Sequence, residues 1–203
     1  MYIHPSQKKI LWSFVASLLV FTTIFIAQQN FEFIGYVAIV LLLLFAVLFS
    51  NKFVRYPNFV LWGLFVWSFF HMLGGVEMAD GNVIYTLILI PFVAEPYLIL
   101  KYDQIIHAFG FFVATLVMYS VLYPHLKKPS SFLGVGIVVA MAGLGLGALN
   151  EIIEFFMTVL LPSTNVGGYE NTALDLVFNF VGTILAAFFL AHKKTHSVLD
   201  LKN

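Results

Sequence analysis

The chain has 203 residues, of which 61% are hydrophobic and only 10% are charged, and its mean hydropathy is +0.97. Soluble domains carry about 25% charged residues, so this composition predicts an integral membrane protein. The formal net charge is zero, so nothing favours a nucleic-acid partner, and the lack of cysteine excludes disulfides and thiolate metal sites. We expect one membrane domain over residues 1–203.

Apolar runs divide the chain into candidate transmembrane helices. The first run follows Lys8 and Lys9, and because it is long and no small-residue cleavage site follows it, we expect a retained span rather than a signal peptide. Pro57 and the pair Gly74 and Gly75 mark two of the connections. The predicted spans are residues 10–27, 33–50, 59–73, 103–123, 133–161 and 172–192.

Residues 84–100 are the ambiguous stretch, because they are apolar but include Pro91, Glu95 and Pro96. Their 17 residues stand at the lower limit of a transmembrane helix. Cytoplasmic flanks are enriched in Lys and Arg. If this stretch does not cross the membrane, Lys101 is the only basic residue on the outer side. The other basic residues all lie on the cytoplasmic side: Lys8, Lys9, Lys52, Arg55, Lys127, Lys128, Lys193, Lys194 and Lys202.

A crossing would instead split these basic residues between the two sides of the membrane. We therefore predict an all-α, polytopic helix bundle with six transmembrane helices and a re-entrant or interfacial segment at 84–100. The same charge bias predicts that both termini lie in the cytoplasm.

Asp103 and His107 are spaced i,i+4 at the start of the fourth span, so their side chains share one helix face. In a low-dielectric site a carboxylate can orient an imidazole and raise its basicity. The alternative is an Asp that caps the helix start beside an interfacial His.

Glu151 and Glu154 lie one turn apart inside the fifth span. A charged residue there costs about 2.5–3.5 kcal/mol on insertion scales, so such residues commonly serve a function. Close carboxylates share a proton, bind a cation or pair with protonated His. A hydrated vestibule, in which both acids are solvated, is the simpler alternative.

The sixth span begins with Asn171, Asp175 and Asn179, which predict a third group of polar side chains at the same membrane face. Asp175 could also cap the helix, and Asn179 could bridge helices. The pattern Asp-x3-His-x2-Gly of the fourth span resembles the Asp-x3-Asn-x2-Gly of the sixth, where Gly110 and Gly182 would allow close helix approach.

The string from Tyr102-Asp103 and His107, through Glu151 and Glu154, to Asn171, Asp175, Asn179 and Gly182 resembles VanZ-like membrane proteins. The element His71-x-x-Gly74-Gly75 and the form Tyr-Asp-x-x-x-His resemble the YjdF-type (DUF2238-like) bacterial inner-membrane proteins. The chain departs from the VanZ-like pattern in having Glu154 where that pattern has Gln, and in lacking its Arg within residues 162–171. The resemblance implies a polytopic bacterial membrane protein and no particular reaction.

These residues predict a polar cavity near the outer leaflet that acts on or binds a lipid-linked or cell-envelope molecule. The expected catalytic residues are His107, Asp103, Glu151, Glu154 and Asp175, and the expected substrate-binding residues are His71, Asn171 and Asn179. Proton sharing and a divalent metal both stay open, the metal ligands being His107, Glu151, Glu154 and Asp175. The alternatives are a proton- or ion-coupled transporter and a structural or accessory protein. A membrane lipid is the expected partner, and a homo-oligomer stays open.

Overall fold

Six α-helices make up most of the described residues. The structure, a computed structural model, describes residues 3–94, 97–126 and 132–192. The helices are α1 (Lys8–Ala27), α2 (Phe31–Val54), α3 (Asn58–Gly74), α4 (Tyr102–Leu122), α5 (Phe132–Leu160) and α6 (Tyr169–His192). By length and composition five of them can cross a membrane, and α3, with 17 residues, is shorter. The prediction of an all-α bundle of six helices is confirmed.

The connections meet at two opposite ends of the bundle. At one end, which we call the connector end, the α1–α2 turn, the α3–α4 connection and the α5–α6 loop come together. Asn30 illustrates how the sequence builds this end: its side chain caps α2 by accepting from the amide of Phe33 at 3.1 Å, and it donates to the carbonyl of Gly75 at 3.0 Å. At the other end, the far end, the start of α1 meets the α2–α3 turn through Gln7 and Tyr56.

The segment 84–100 forms no transmembrane helix in its described part. Residues Ile84–Thr86 make a short 3₁₀ turn, and β1 (Ile88–Val93) pairs antiparallel with β2 (Ile99–Lys101) directly before α4. All six residues of β1 are exposed, although five of them are hydrophobic. The described residues of this segment therefore contain no seventh transmembrane helix. Glu95 and Pro96 lie outside the described residues.

Helix α4 is the central helix of the bundle, since α3, α5 and α6 all pack against it. Its contact with α6 is made backbone to backbone, because a Cβ added to Gly182 would overlap the carbonyl oxygen of Ala108. A Cβ on Gly110 would likewise overlap the indole of Trp67. Both glycines of the paired sequence pattern therefore permit close approach, although only Gly182 joins α4 to α6.

The predicted orientation rests partly on residues that the structure does not describe. Lys127, Lys128, Lys193, Lys194 and Lys202 lie outside the described residues. Placement of both termini in the cytoplasm therefore stays a prediction.

Candidate functional site

His107 is the centre of a buried polar group near the connector end. Its side chain is buried one turn into α4. Its Nε2 lies 3.3 Å from Asp103 Oδ1, and its Nδ1 lies 2.9 Å from Asn179 Oδ1 and 3.9 Å from Glu151 Oε1. We call the set of His107, Asp103, Glu151, Glu154, Asp175 and Asn179 the His107 cluster. Three helices, α4, α5 and α6, contribute to it.

Three asparagine amides hold the acids of this cluster. The Nδ2 of Asn171 donates to Asp175 Oδ2 at 2.6 Å, and the Nδ2 of Asn150 donates to Glu154 Oε1 at 2.7 Å. Both pairs have i,i+4 spacing, so one helix face supplies donor and acceptor together. The third amide is that of Asn179, whose Nδ2 lies 3.5 Å from Glu151 Oε1.

Two carboxylate oxygens of the cluster have no partner among the described residues. Glu151 Oε2 and Asp175 Oδ1 are buried and receive no hydrogen bond there. Asp175 is completely buried, and Glu151 is 9% exposed. An unpaired buried polar atom costs about 1–3 kcal/mol, and more when it is charged. The folded chain therefore tolerates two acceptors that a proton, a cation or a ligand donor would satisfy.

The ligand-type atoms of the cluster form two sets that share the imidazole, and Asp103 approaches its Nε2 whereas Glu151 approaches its Nδ1. One set consists of Asp103, His107 and Asp175, and the other of His107, Glu151 and Glu154. Within each set the candidate atoms all lie within 4.8 Å of one another. In the part of the chain that the structure describes, the ion pairs of these acids involve His107 alone. Four carboxylates thus surround one imidazole.

His71, which we expected to bind substrate, lies beside the cluster and not within it. Its Nδ1 is hydrogen-bonded to the hydroxyl of Tyr85, and its ring stacks on Trp67 with centroids 5.3 Å apart. Burial among these rings raises the pKa of the Tyr85 hydroxyl well above its usual range. That hydroxyl therefore stays protonated, and a neutral hydroxyl can either donate to His71 Nδ1 or accept from it.

An apolar cavity of about 350 Å³ runs beside the cluster, lined by residues of α1 to α5. Tyr36, His71 and Asn150 line the part nearest the connector end, and Gln7 and Asn51 line the part nearest the far end. Between them the walls are hydrocarbon. From the sequence we expected a polar cavity, whereas the described residues form a compact polar cluster next to an apolar cavity. Asn150 belongs to both, because it lines the cavity and bonds Glu154.

Sequence reasoning missed a second acidic contact at the connector end. Glu32 Oε2 accepts from the backbone amide of Asn165 at 2.7 Å and from its side chain at 3.1 Å. The bond ties the start of α2 to the α5–α6 loop. The position of Glu32, an acid next to the predicted second span, could have suggested a buried polar contact. Nothing in the sequence indicates Asn165 as its partner, because loop asparagines usually bond locally.

Residues 9–196 match the family described as "Predicted membrane protein (DUF2238)". The chain belongs to this family. With its long apolar helices, this DUF2238 protein is an integral membrane protein. The DUF2238-like part of the sequence resemblance is confirmed, whereas the VanZ-like and YjdF-type resemblance stays a prediction.

One relative is a protein of Thermotoga maritima described as "Uncharacterized protein". It is 33% identical over 95 residues, which make up 46% of this chain and 50% of the relative. The matched part of the chain thus spans about half the length of this relative. No solved structure matches the chain.

Proposed function

We propose that this protein binds an amphiphile of the cell envelope, a lipid or lipid-linked molecule, with its apolar chain in the cavity and its polar end beside the His107 cluster. The observation that carries this proposal is the position of Asn150. Asn150 lines the apolar cavity, and its side chain donates to Glu154 of the cluster at 2.7 Å. A hydrocarbon compartment and a buried acidic compartment are therefore in direct contact.

The cavity suits the chain of such a molecule. Small-molecule sites usually measure about 300–1,000 Å³, and this cavity of about 350 Å³ lies within that range. Its middle is lined by aliphatic residues such as Leu64 and Val117. Such walls favour an alkyl or isoprenoid chain and disfavour a sugar or an ion, which would lose its hydration without new partners.

The cluster favours a particular headgroup. Four carboxylates face one imidazole, so groups that donate hydrogen bonds, such as amines and sugar hydroxyls, would be bound there. A bare phosphate would be repelled unless a cation bridged it to the carboxylates. Glu151 Oε2 and Asp175 Oδ1 are the acceptors that such donors would satisfy.

Binding is favoured over base catalysis by His107. Asp103 and Asn179 stand at its two ring nitrogens, so neither nitrogen is open to abstract a proton from a molecule in the cavity. We therefore assign His107, Asp103, Glu151, Glu154 and Asp175 to binding of the polar end. His71, Asn171 and Asn179 position the groups around it.

The membrane orientation belongs to the same proposal. Lys8 and Lys9 begin α1, and Lys52 and Arg55 lie at the end of α2, so these basic residues stand at the far end. Lys101 stands at the connector end. The Lys and Arg bias supports a cytoplasmic far end and an acidic cluster near the outer leaflet of the inner membrane.

The test is to fill the cavity and ask which molecules stay with the purified protein. Ala114 lines the cavity from α4 and Ala46 from α2, so Ala114→Phe and Ala46→Phe would each occupy part of it. Ala16→Phe, on an exposed position of α1, is the matched control. We expect mass spectrometry of the mildly solubilised wild type and A16F to find one enriched class of amphiphile that both filling variants lose.

The proposal fails if all four proteins carry the lipid mixture of the host membrane in the same proportions. Gel filtration of each variant establishes that the filled proteins are folded and monodisperse before their lipids are compared. The second, independently placed filling variant guards against a local packing defect at Ala114.

Proton- or ion-coupled transport is the second candidate, and one observation favours it. Polar residues line the cavity near both ends of the bundle, with His71 and Asn150 at one and Gln7 and Asn51 at the other. The hydrocarbon walls between them argue for movement of a lipid rather than of a free ion. Proton uptake by proteoliposomes that depends on Glu154 would favour this candidate over simple binding.

A further inference from the structure

The amide of Asn179 fixes the proton position of His107. Its Nδ2 lies 3.5 Å from Glu151 Oε1, an acceptor, so the other amide atom, Oδ1, faces the imidazole. This Oδ1 lies 2.9 Å from His107 Nδ1 and can only accept a hydrogen bond. The imidazole therefore carries its proton on Nδ1. In the neutral ring the lone pair is then on Nε2.

The lone pair of His107 Nε2 faces the lone pairs of a carboxylate oxygen. Nε2 of His107 lies 3.3 Å from Asp103 Oδ1, and an ionised carboxylate only accepts hydrogen bonds. Two acceptors at this distance repel each other unless a positive centre lies between or beside them. The separation is also one that two ligands of a single metal ion adopt, because each ligand atom stands about 2.0–2.2 Å from the ion.

Asp175 supplies the third acceptor. Asn171 donates to its Oδ2 at 2.6 Å, while Oδ1 has no partner among the described residues. Its side chain is completely buried, so water does not solvate that oxygen from the surface. The acceptor atoms of Asp103, His107 and Asp175 lie within 4.8 Å of one another. This fully buried and unpartnered oxygen is an observation independent of the clustering of acids, and it is an acceptor that a cation would satisfy.

We propose that Asp103, His107 and Asp175 bind one divalent metal ion through carboxylate oxygens and His107 Nε2. One imidazole and two carboxylates form a ligand set of borderline hardness, suited to Zn²⁺, Mn²⁺ or Fe²⁺. Asn179 and Asn171 are positioning residues, because they hold the far side of the imidazole and of Asp175 as outer-shell partners do in metal sites. With this ion bound, Asp103, His107 and Asp175 would contact the polar end of an amphiphile through the ion, and Glu151 and Glu154 would contact it directly.

The other set that shares the imidazole is a poorer site for the ion. There Nδ1 carries the proton that it donates to Asn179, so it has no lone pair for a metal. Glu154 Oε1 is already held by Asn150 at 2.7 Å. The proposal therefore distinguishes the two aspartates from the two glutamates, although both sets have similar geometry.

The test is zinc binding by the full-length chain in detergent micelles after treatment with a chelator. Because the chain contains no cysteine, thiolates cannot compete for the metal. We expect equilibrium dialysis with elemental analysis to find one tightly bound Zn²⁺ per chain, and X-ray absorption to find a coordination shell of oxygen and nitrogen that includes one imidazole. His107→Gln and Asp175→Asn should each remove this binding.

Glu154→Gln is the matched control, because it neutralises an acid of the other set that shares the same imidazole. It should leave zinc affinity nearly unchanged, whereas Asn179→Leu should weaken binding by about 10–100-fold, as loss of an outer-shell partner does. Asp175→Asn is nearly isosteric, so it reports on the site even if His107→Gln disturbs folding.

Three results would overturn the proposal. The first is a wild-type chain that retains no zinc, which would mean that a second proton on His107 pairs with Asp103 instead. The second is zinc that binds equally well to H107Q and D175N. The third is loss of zinc in E154Q with retention in D175N. None of these results touches the lipid measurement of the cavity variants, so the two proposals fail separately.

Discussion

Two buried polar groups lie at opposite ends of this bundle, and they differ in charge and in how fully they are paired. At the far end, Gln7 donates to the carbonyl of Tyr56 at 3.1 Å and accepts from Asn51 at 2.8 Å. Asn51 in turn accepts from the amide of Tyr56 at 3.0 Å. This far-end group is neutral, and its bonds join α1, α2 and the turn before α3.

The His107 cluster is rich in acids; Asp103 and Glu154 are partly buried and its other members are buried. Two of its carboxylate oxygens have no partner among the described residues. Neutral groups that satisfy one another fix the positions of helices. Buried acidic groups without hydrogen-bond partners lower the stability of the ligand-free protein, as functional sites commonly do. The contrast predicts that substitutions at the far end act on stability, and that substitutions in the cluster act on binding.

The largest effect is expected where the cluster is assembled, at the contact of α4 with α6. Gly182→Ala would place a Cβ onto the carbonyl oxygen of Ala108, and a backbone atom cannot move aside as a flexible side chain can. Overpacking costs about 1–3 kcal/mol and occasionally more, and we expect the upper part of this range. Thermal unfolding followed by circular dichroism should show a clearly lower midpoint, together with weaker zinc binding.

Gly145→Ala is the control for this substitution, because an added Cβ at Gly145 meets nothing within 4 Å. It should raise stability slightly, by about 0.5–1 kcal/mol, because alanine favours a helix over glycine. Equal midpoints for G182A and G145A would contradict the close packing of α4 against α6.

The next effect concerns the far-end group. Gln7→Leu would remove the acceptor that Asn51 Nδ2 uses and the donor to the Tyr56 carbonyl, and losing hydrogen bonds between buried polar groups costs about 1–3 kcal/mol. We expect a lower unfolding midpoint with unchanged zinc affinity. If Q7L weakened zinc binding while the protein stayed folded, the two polar groups would not be independent.

A smaller effect is expected at the connection between α2 and the α5–α6 loop. Asn165→Ala would remove the side-chain bond to Glu32 and leave the backbone bond in place. A typical hydrogen bond contributes about 0.5–1.5 kcal/mol, and more to a charged group. Hydrogen exchange measured by mass spectrometry should show faster opening of residues 161–168. Exchange that is unchanged would mean that the backbone bond alone holds this loop.

The smallest effect on stability is expected inside the His107 cluster itself. Asp175→Asn removes one of four crowded carboxylates and keeps the shape of the side chain. In the metal-free protein its unfolding midpoint should match or exceed that of the wild type, because repulsion between the acids falls. A loss as large as that of Q7L would instead assign Asp175 to helix packing, as an accessory membrane protein would require.

Local sequence patterns were sufficient for the helices and for pairs on one helix face. Apolar runs bounded by Pro57 or Gly75 gave the spans to within a few residues, and i,i+4 spacing gave Asp103 with His107. The distribution of Lys and Arg also predicted that His107, Glu151 and Asp175 lie at one end of the bundle. In the structure these three residues belong to one cluster.

Contacts between distant segments could not be predicted in the same way. The bond of Asn179 to His107 depends on the rotation of α6 against α4, which hydropathy does not specify. Gln7 and Asn51 were missed because polar residues near a span end usually face water. The hairpin of β1 was missed because an apolar run that contains Pro91 is equally typical of a re-entrant segment.

The brevity of α3 has a consequence for the surrounding bilayer. At 1.5 Å per residue its 17 residues extend about 26 Å, whereas the 24 residues of α2 extend about 36 Å. The hydrocarbon layer measures about 30 Å, so either the lipids next to α3 thin or the chain that adjoins α3 lies within the hydrocarbon layer. β1, in the connection between α3 and α4, exposes apolar side chains that can contact the lipid there. The protein should therefore favour thinner membranes and deform thicker ones on the side where α3 stands.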